Sequence, residues 1–209
     1  MGRGDKMDLG ALAASTQEVY ERNAARFDVE RPKGLHERSW LDRFLELVTP
    51  GGLVLDLGCG AGDPIAGYVA GRGFRVIGVD ASRPMLEIAR RRFPAGDWRH
   101  GDMRTLDLAE RFDGILGWNS FFHLTADEQR SVLPRIVSHM KPGAALMLTV
   151  GPAAGEVGGC VGDDAVYHAS LAPAEYDAVL ARLGVRIVQL AVEDPTCGQQ
   201  TIMLARKEF

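Results

Sequence analysis

Leu53-Val54-Leu55-Asp56-Leu57-Gly58-Cys59-Gly60-Ala61-Gly62 is a short apolar run that breaks abruptly into glycine. Five residues of this kind read as a buried strand, and the glycines as a sharp turn after it. Asp63-Pro64 then reads as an N-cap with proline at the first position of a helix. Downstream the alternation continues. Phe74 to Asp80 is a second strand, and Ser82 caps a helix carrying Met85, Leu86, Ile88 and Ala89. Short strands follow at Trp98–His100 and Phe112–Trp118. Thr125 and Glu128 form a capping box for a helix with Leu133, Ile136, Val137 and Met140 on its apolar face. Pro134 is expected to kink that helix or reset its start. Pro142-Gly143 is expected to turn into a fifth strand, Ala144 to Val150.

The final third reads differently. A helix over 173–183 leads to strands at Val185–Val192 and Gln200–Ala205, separated by only about seven residues. That gap is too short for a parallel crossover, so the two should pair antiparallel. The expected fold class is α/β: a doubly wound, mostly parallel seven-stranded sheet with a reversed last strand and helices on both faces. Before Gly51 the pattern predicts two helices. Residues 35–48 bury Trp40, Leu41, Phe44, Leu45 and Val48, while residues 15–27 carry Tyr20 and Phe27 as a cover. A single domain over 1–209 is expected, with a core at 51–206 and a flexible stretch at 1–14. Residues 151–171, glycine-rich and long for a connection, are expected to be a mobile lid or a substrate loop.

The chain has 209 residues, 46% hydrophobic and 25% charged, with net charge −4. This is ordinary for a globular protein and excludes a disordered, collagen-like or disulfide-dense chain. The longest apolar runs fall well short of the roughly 20 residues that span a bilayer, so no membrane partner is expected. Arg90, Arg91 and Arg92 are the one tight basic cluster and read as a solvated helix end, so no nucleic acid is expected either. Cys59, Cys160 and Cys197 are odd in number and form no CxxC pair. Neither a zinc site nor a disulfide framework is expected, and a reducing cytoplasm fits. Residues 1–10 lack the apolar core of a signal peptide, and Lys6 disfavours myristoylation of Gly2. A monomer or a homodimer is expected.

Asp80 ends the second strand, 22 residues after Gly58. In an open α/β sheet it and the glycine turn lie at adjacent strand ends, beside the topological switch point where ligands bind. A carboxylate there suits a ribose diol. A dinucleotide site wants G-x-G-x-x-G, and from Gly58 and Gly60 the third glycine falls on Asp63. A carboxylate at a helix start repels a pyrophosphate. Asp56, just before the turn, favours positive charge. The residues therefore point to a cationic or zwitterionic adenosine derivative.

Across roughly 15–206 the chain resembles the class I S-adenosylmethionine-dependent methyltransferases of small-molecule type, which have a Rossmann-like fold. Val54 to Gly62 looks like their first motif. By that resemblance Asp56 and the turn at Gly58, Cys59 and Gly60 hold the amino-acid end of S-adenosyl-L-methionine, released after transfer as S-adenosyl-L-homocysteine. Val79-Asp80-Ala81-Ser82 with Met85-Leu86 looks like the second motif, which implies Asp80 on the ribose and Ala81 and Met85 near the adenine. Asp102 and Met103 match the position of the adenine-amino contact, and Tyr20 is similar to a tyrosine that reaches the cofactor carboxylate. Trp118 opens the segment Trp118-Asn119-Ser120-Phe121-Phe122-His123, which completes the cofactor site and begins the acceptor site.

His123, Tyr167 and His168 are the candidate catalytic residues facing a small-molecule acceptor, and no metal is expected. Related quinone-type enzymes carry Glu directly before this histidine. Phe122 stands there instead, against that substrate class and a metal-assisted route. Asn-Pro-Pro-Tyr, typical of nucleobase and glutamine methylation, is absent after the fourth strand. Plainer roles exist for the same residues: Met85 in core packing, Tyr20 stapling its helix, Asp102 in a turn, and His123, Tyr167 and His168 ordering loops. Two other functions share parts of the pattern. A non-catalytic S-adenosylmethionine-binding module would carry the same turn and acids. A nicotinamide-dependent oxidoreductase would want a Tyr-x-x-x-Lys pair, which is not visible. The acceptor atom (O, N, S or C) stays open.

Overall fold

A computed structural model describes residues 8–209. The expectations on the signal peptide and on Gly2 lie outside the described residues. The chain begins with α1 (Leu9–Glu30), capped by Asp8, whose carboxylate accepts from the N–H groups of Gly10 and Ala11. Residues 9–14, expected to be flexible, form its first turns, because Asp8 satisfies amide groups that a helix start leaves unpaired. Next come α2 (Arg38–Leu47), β1 (Leu53–Leu57), α3 (Ile65–Gly71), β2 (Arg75–Asp80), α4 (Arg83–Arg92) and β3 (Asp97–His100). Then follow β4 (Phe112–Gly117), a 3-10 turn (Phe121–His123), α5 (Ala126–Ser138) and β5 (Met140–Val150). A hairpin, β6 (Gly155–Val161) and β7 (Asp164–Ser170), precedes α6 (Pro173–Arg182), β8 (Val185–Asp194) and β9 (Gln200–Lys207).

Seven strands form one sheet in the order β3-β2-β1-β4-β5-β9-β8. β1 pairs parallel with β2 on one side and β4 on the other, opposite Ile77 and Ile115 at Leu55. β9 is the reversed strand: it runs antiparallel to β5, with Leu146 opposite Ala205, and to β8. Alternation along β1 sends Val54 to one face and Leu55 and Leu57 to the other. Val54 packs with Trp40, Leu41 and Phe44 of α2 and Ile65 and Val69 of α3. Leu55 and Leu57 pack with Leu133, Ile136 and Val137 of α5 and Leu180 of α6. Each large apolar side chain so buried contributes about 1.5–3 kcal/mol. With β2 and β4 on opposite sides of β1, a crevice opens beyond its carboxyl end.

Two expectations are corrected and a third, for Pro134, is narrowed. Asp63 does not cap α3: Pro64 occupies the cap position without a side-chain bond. The Asp63 carboxylate turns instead to Lys33 and Arg92, 3.3 and 3.9 Å away. Pro134 sits inside α5 without resetting its start, which the Thr125–Glu128 capping box fixes upstream. Pro142-Gly143 does not open β5 as a turn. That strand begins at Met140, and the pair falls in an irregularity where the register steps from Met140 opposite Phe112 to Ala145 opposite Gly114. Most of residues 151–171 form the separate β6–β7 hairpin, with Gly158 opposite Tyr167. β6 is largely exposed, so its composition carries no apolar alternation that would mark it as a strand.

Candidate active site

The glycine turn is set by the strands beneath it. Gly58 and Cys59 both donate their N–H groups to the Val79 carbonyl, at 2.7 and 3.1 Å, which clamps the end of β1 to β2. Gly58 has φ +78°, and a Cβ there would lie 2.3 Å from Cβ of Ser120. Only glycine permits both the left-handed backbone and that approach. Ser120 in turn donates its hydroxyl to the Leu57 carbonyl at 2.7 Å, joining the turns after β1 and β4.

Asp80 lies where β2 ends. One carboxylate oxygen accepts from Gly60 N–H at 2.7 Å and the other from Ser82 N–H at 2.8 Å. Burial raises its pKa and these two donors oppose the rise. Each oxygen keeps a second lone pair. Asp56 is buried, and desolvation pushes its pKa up to about 7, with Arg31 opposing and Asp80 reinforcing the shift. Burial also drives the Cys59 thiol well above its usual pKa, so it is an inert wall residue.

These turns enclose a cavity of about 1030 Å³, its open mouth included. Of the residues expected to hold a cofactor, Tyr20, Gly58, Cys59, Gly60, Asp80, Ala81, Met85, Asp102, Met103 and Trp118 all line it, and Asp56 sits behind the wall. Asp102 reaches the cavity with its carboxylate already engaged by Arg104, through the backbone N–H at 2.8 Å and the guanidinium at 3.1 Å. Arg104 is held on its other side by Glu128 at 2.6 Å.

Two further lining residues escaped sequence reading. Arg31, just past α1, points a buried Nε at no partner while its terminal nitrogen meets Glu37 at 3.3 Å. Asn119, φ +51°, has a buried Oδ1 with no partner, and its backbone N–H is fixed at 2.6 Å by Thr149 Oγ1. A buried polar atom without a partner costs about 1–3 kcal/mol, so two such atoms on residues lining one cavity point to a place for a ligand. No sequence motif flags Arg31. Asn119 lay within the expected acceptor segment without an assigned role.

Of the three candidate catalytic residues, His123 lines the cavity and the others do not. His123 Nδ1 lies 2.8 Å from the Tyr167 carbonyl, which can only accept, so Nδ1 carries the proton. Nε2 is therefore the lone-pair nitrogen, and the Tyr20 hydroxyl donates to it at 2.9 Å. Burial, reinforced by His168 and opposed by the Tyr167 carbonyl, lowers the His123 pKa to about 4. Burial raises the Tyr20 pKa, and nearby Asp80 adds to the shift. The Tyr167 ring is buried and its hydroxyl donates to Glu156 at 2.7 Å, so its side chain is spent on the hairpin and faces away from the cavity. His168 packs outside the cavity, its ring centre 5.0 Å from that of His123 in a tilted arrangement and 4.7 Å from that of Phe122 edge-on. Among the described residues no cluster of His, Cys, Asp or Glu is arranged to hold a metal ion.

Comparison with known proteins agrees with this geometry. A family model described as a methyltransferase domain matches residues 54–143. The cypemycin N-terminal methyltransferase of a Streptomyces species is 39% identical over 103 residues, covering 47% of this chain and 41% of that protein. The dTDP-4-amino-2,3,4,6-tetradeoxy-D-glucose N,N-dimethyltransferase of Saccharopolyspora spinosa is 34% identical over 97 residues, 46% of this chain and 39% of that one. The aligned region thus spans less than half the length of these curated relatives. Among solved structures, S-adenosylmethionine-bound CalS10, an amino pentose methyltransferase from Micromonospora echinaspora, superposes with TM-score 0.69 at 22% identity, covering 89% of this chain and 95% of that one. The CcbJ methyltransferase from Streptomyces caelestis gives 0.72 at 19% identity, covering 93% and 98%. At these identities the structural likeness is one of fold.

Proposed function

We propose that the chain, whose residues 54–143 match a methyltransferase-domain model, is a class I S-adenosylmethionine-dependent methyltransferase that transfers a methyl group from this cofactor to a small organic acceptor. What carries the reading is the pair of buried, unpartnered atoms, Arg31 Nε and Asn119 Oδ1, on two residues that line the same cavity as Asp80. One is a cationic donor and the other a neutral acceptor, which suits a ligand ending in carboxylate and ammonium. Asp80 keeps lone pairs for a ribose diol, and Met85 and Met103 offer an apolar bed for a purine. The negative charge of Asp80 favours a positively charged ligand over a pyrophosphate.

S-adenosylmethionine, when bound, supplies a methyl carbon already activated by its sulfonium. The protein's task is alignment in a water-poor cleft, and no nucleophilic side chain is needed. Tyr20 and His123 lie on the cavity wall as a hydrogen-bonded pair. Tyr20 donates a hydrogen bond to His123 Nε2, which leaves its own oxygen lone pairs free to accept from an acceptor N–H or O–H. A proton leaving the acceptor passes to the Tyr20 oxygen while the Tyr20 proton moves onto His123. With His123 held near pH 4, this relay is weakly basic. It suits an acceptor whose proton turns acidic only as the new bond forms. Three unpaired cysteines fit a reducing, cytoplasmic setting, and no helix among the described residues is long and apolar enough to cross a membrane.

Calorimetric titration with S-adenosylhomocysteine and with NAD tests the cofactor. Binding of the first and not the second is expected, and the reverse overturns the reading. Release of S-adenosylhomocysteine in a screen of small amines, alcohols and thiols tests the transfer, and cofactor binding with no turnover on any acceptor would favour a binding module.

A further inference from the structure

β7 pairs with β6 on one edge only, since the hairpin is a two-stranded sheet. The backbone groups on its other edge have no strand to meet, yet they lie buried and must be satisfied. Three side chains do this. Thr16 Oγ1 of α1 accepts from Tyr167 N–H at 2.9 Å. His123 donates to the Tyr167 carbonyl at 2.8 Å, and Gln129 Nε2 donates to the Ala169 carbonyl at 2.9 Å. Residues 167 and 169 are one strand repeat apart, about 6.6 Å along the edge. Gln129 and His123 thus grip adjacent rungs of the same edge.

Gln129 is fully buried in the first turn of α5, and both of its amide protons are engaged. Its second Nε2 proton goes to the Leu124 carbonyl at 2.9 Å, directly after His123. Its Oε1 accepts from the Tyr176 hydroxyl of α6 at 2.5 Å. Tyr176 is itself fixed by Leu171 N–H at 3.2 Å and lies 3.2 Å from Ser170 Oγ. One carboxamide therefore ties the peptide after His123 to the strand edge that His123 must meet.

We infer that Gln129, backed by Tyr176, is a positioning residue: it holds the 121–123 turn in register with β7, so that His123 keeps its Nδ1 proton on Tyr167 and turns Nε2 toward Tyr20. Without the carboxamide the turn and strand lose their common anchor, and the imidazole is free to exchange its tautomer. The inference rests on the proposed reading that His123 serves the acceptor, but its first readout does not.

Nitrogen-15 histidine NMR on the full chain reads the tautomer directly. Wild type should show His123 with Nδ1 protonated, and Gln129→Met should show a tautomeric mixture. With an acceptor in hand, Gln129→Met should lower kcat on the order of 10- to 100-fold, with binding of S-adenosylhomocysteine unchanged. If Gln129→Met does not fold, Gln129→Glu carries the test, because it keeps the side-chain length and an oxygen to accept from Tyr176 while losing the amide group that serves the Leu124 and Ala169 carbonyls. A folded Gln129→Met, or in its absence Gln129→Glu, whose His123 signals match wild type overturns the inference. Unaltered turnover in His123→Asn would instead defeat the acceptor-side reading and leave the tautomer result standing.

Discussion

Asp80 is the residue whose chemistry is most sharply defined, because both oxygens are oriented by backbone donors before any ligand arrives. Asp80→Asn keeps the shape but turns one acceptor into a donor. It should weaken S-adenosylhomocysteine binding by about 1–3 kcal/mol, read by calorimetry, with the fold retained. Arg31→Met should cost binding on a similar scale, about 1.5–3 kcal/mol for losing a charged hydrogen bond. Because Arg31 also meets Glu37, thermal denaturation must show that the variant still folds. The acids were legible in the sequence because strand ends and spacing announce them. Arg31 was not, since its reach into the cavity depends on how the chain leaves α1, and no local pattern encodes that path. Tyr167 shows the converse: a plausible side chain at the right place in sequence, but the residue contributes its backbone carbonyl.

Among elements, the turns before and after β1 offer a comparison inside one protein. Gly51 and Gly58 both adopt positive φ, +69° and +78°, yet a Cβ at Gly51 meets nothing within 4 Å. Gly51→Ala should therefore cost only the left-handed penalty, about 1–2 kcal/mol. Gly58→Ala adds the collision with Ser120 and should cost several times more in urea denaturation, with cofactor binding lost. Equal costs would mean the two turns are not packed as described. The hairpin shows where pattern reading stops. Strands announce themselves by alternating burial, and β6 is almost wholly exposed, so its glycines read as a loop. The helices and parallel strands were legible because each buries one face and carries its own cap, as Ser82 and the Thr125–Glu128 box do for α4 and α5.

At the level of the whole molecule, titration should leave a mark on stability. His123 is shifted from 6.5 down to about 4, so below its unfolded pKa the unfolded chain binds a proton that the folded chain refuses. Its contribution is complete above about pH 6.5 and drains away as pH falls toward 4. Between pH 7 and 5 that amounts to about 1–2 kcal/mol, and the corresponding part of the loss should vanish in His123→Asn followed by urea denaturation. Asp56 acts in the opposite sense. With its pKa raised from 3.8 to about 7, the folded chain holds a proton the unfolded chain releases, and that stabilisation fades as pH climbs through 7. Asp28, lowered to about 2 by Arg92, stabilises above its unfolded pKa and loses this only in strong acid. The steepest pH dependence of His123 and Asp56 together should therefore fall between pH 4 and 7, with opposite slopes that site variants separate.

The strand order carries a consequence for biosynthesis. β8 precedes β9 along the polypeptide, yet β9 occupies the slot between β5 and β8. As the chain emerges from a ribosome, β8 has no berth on the growing sheet until residues 200–207 follow it out. A stop codon or protease cut within that span would strand β8 and uncover the flank of β5, exposing an adhesive rim in place of a finished wall.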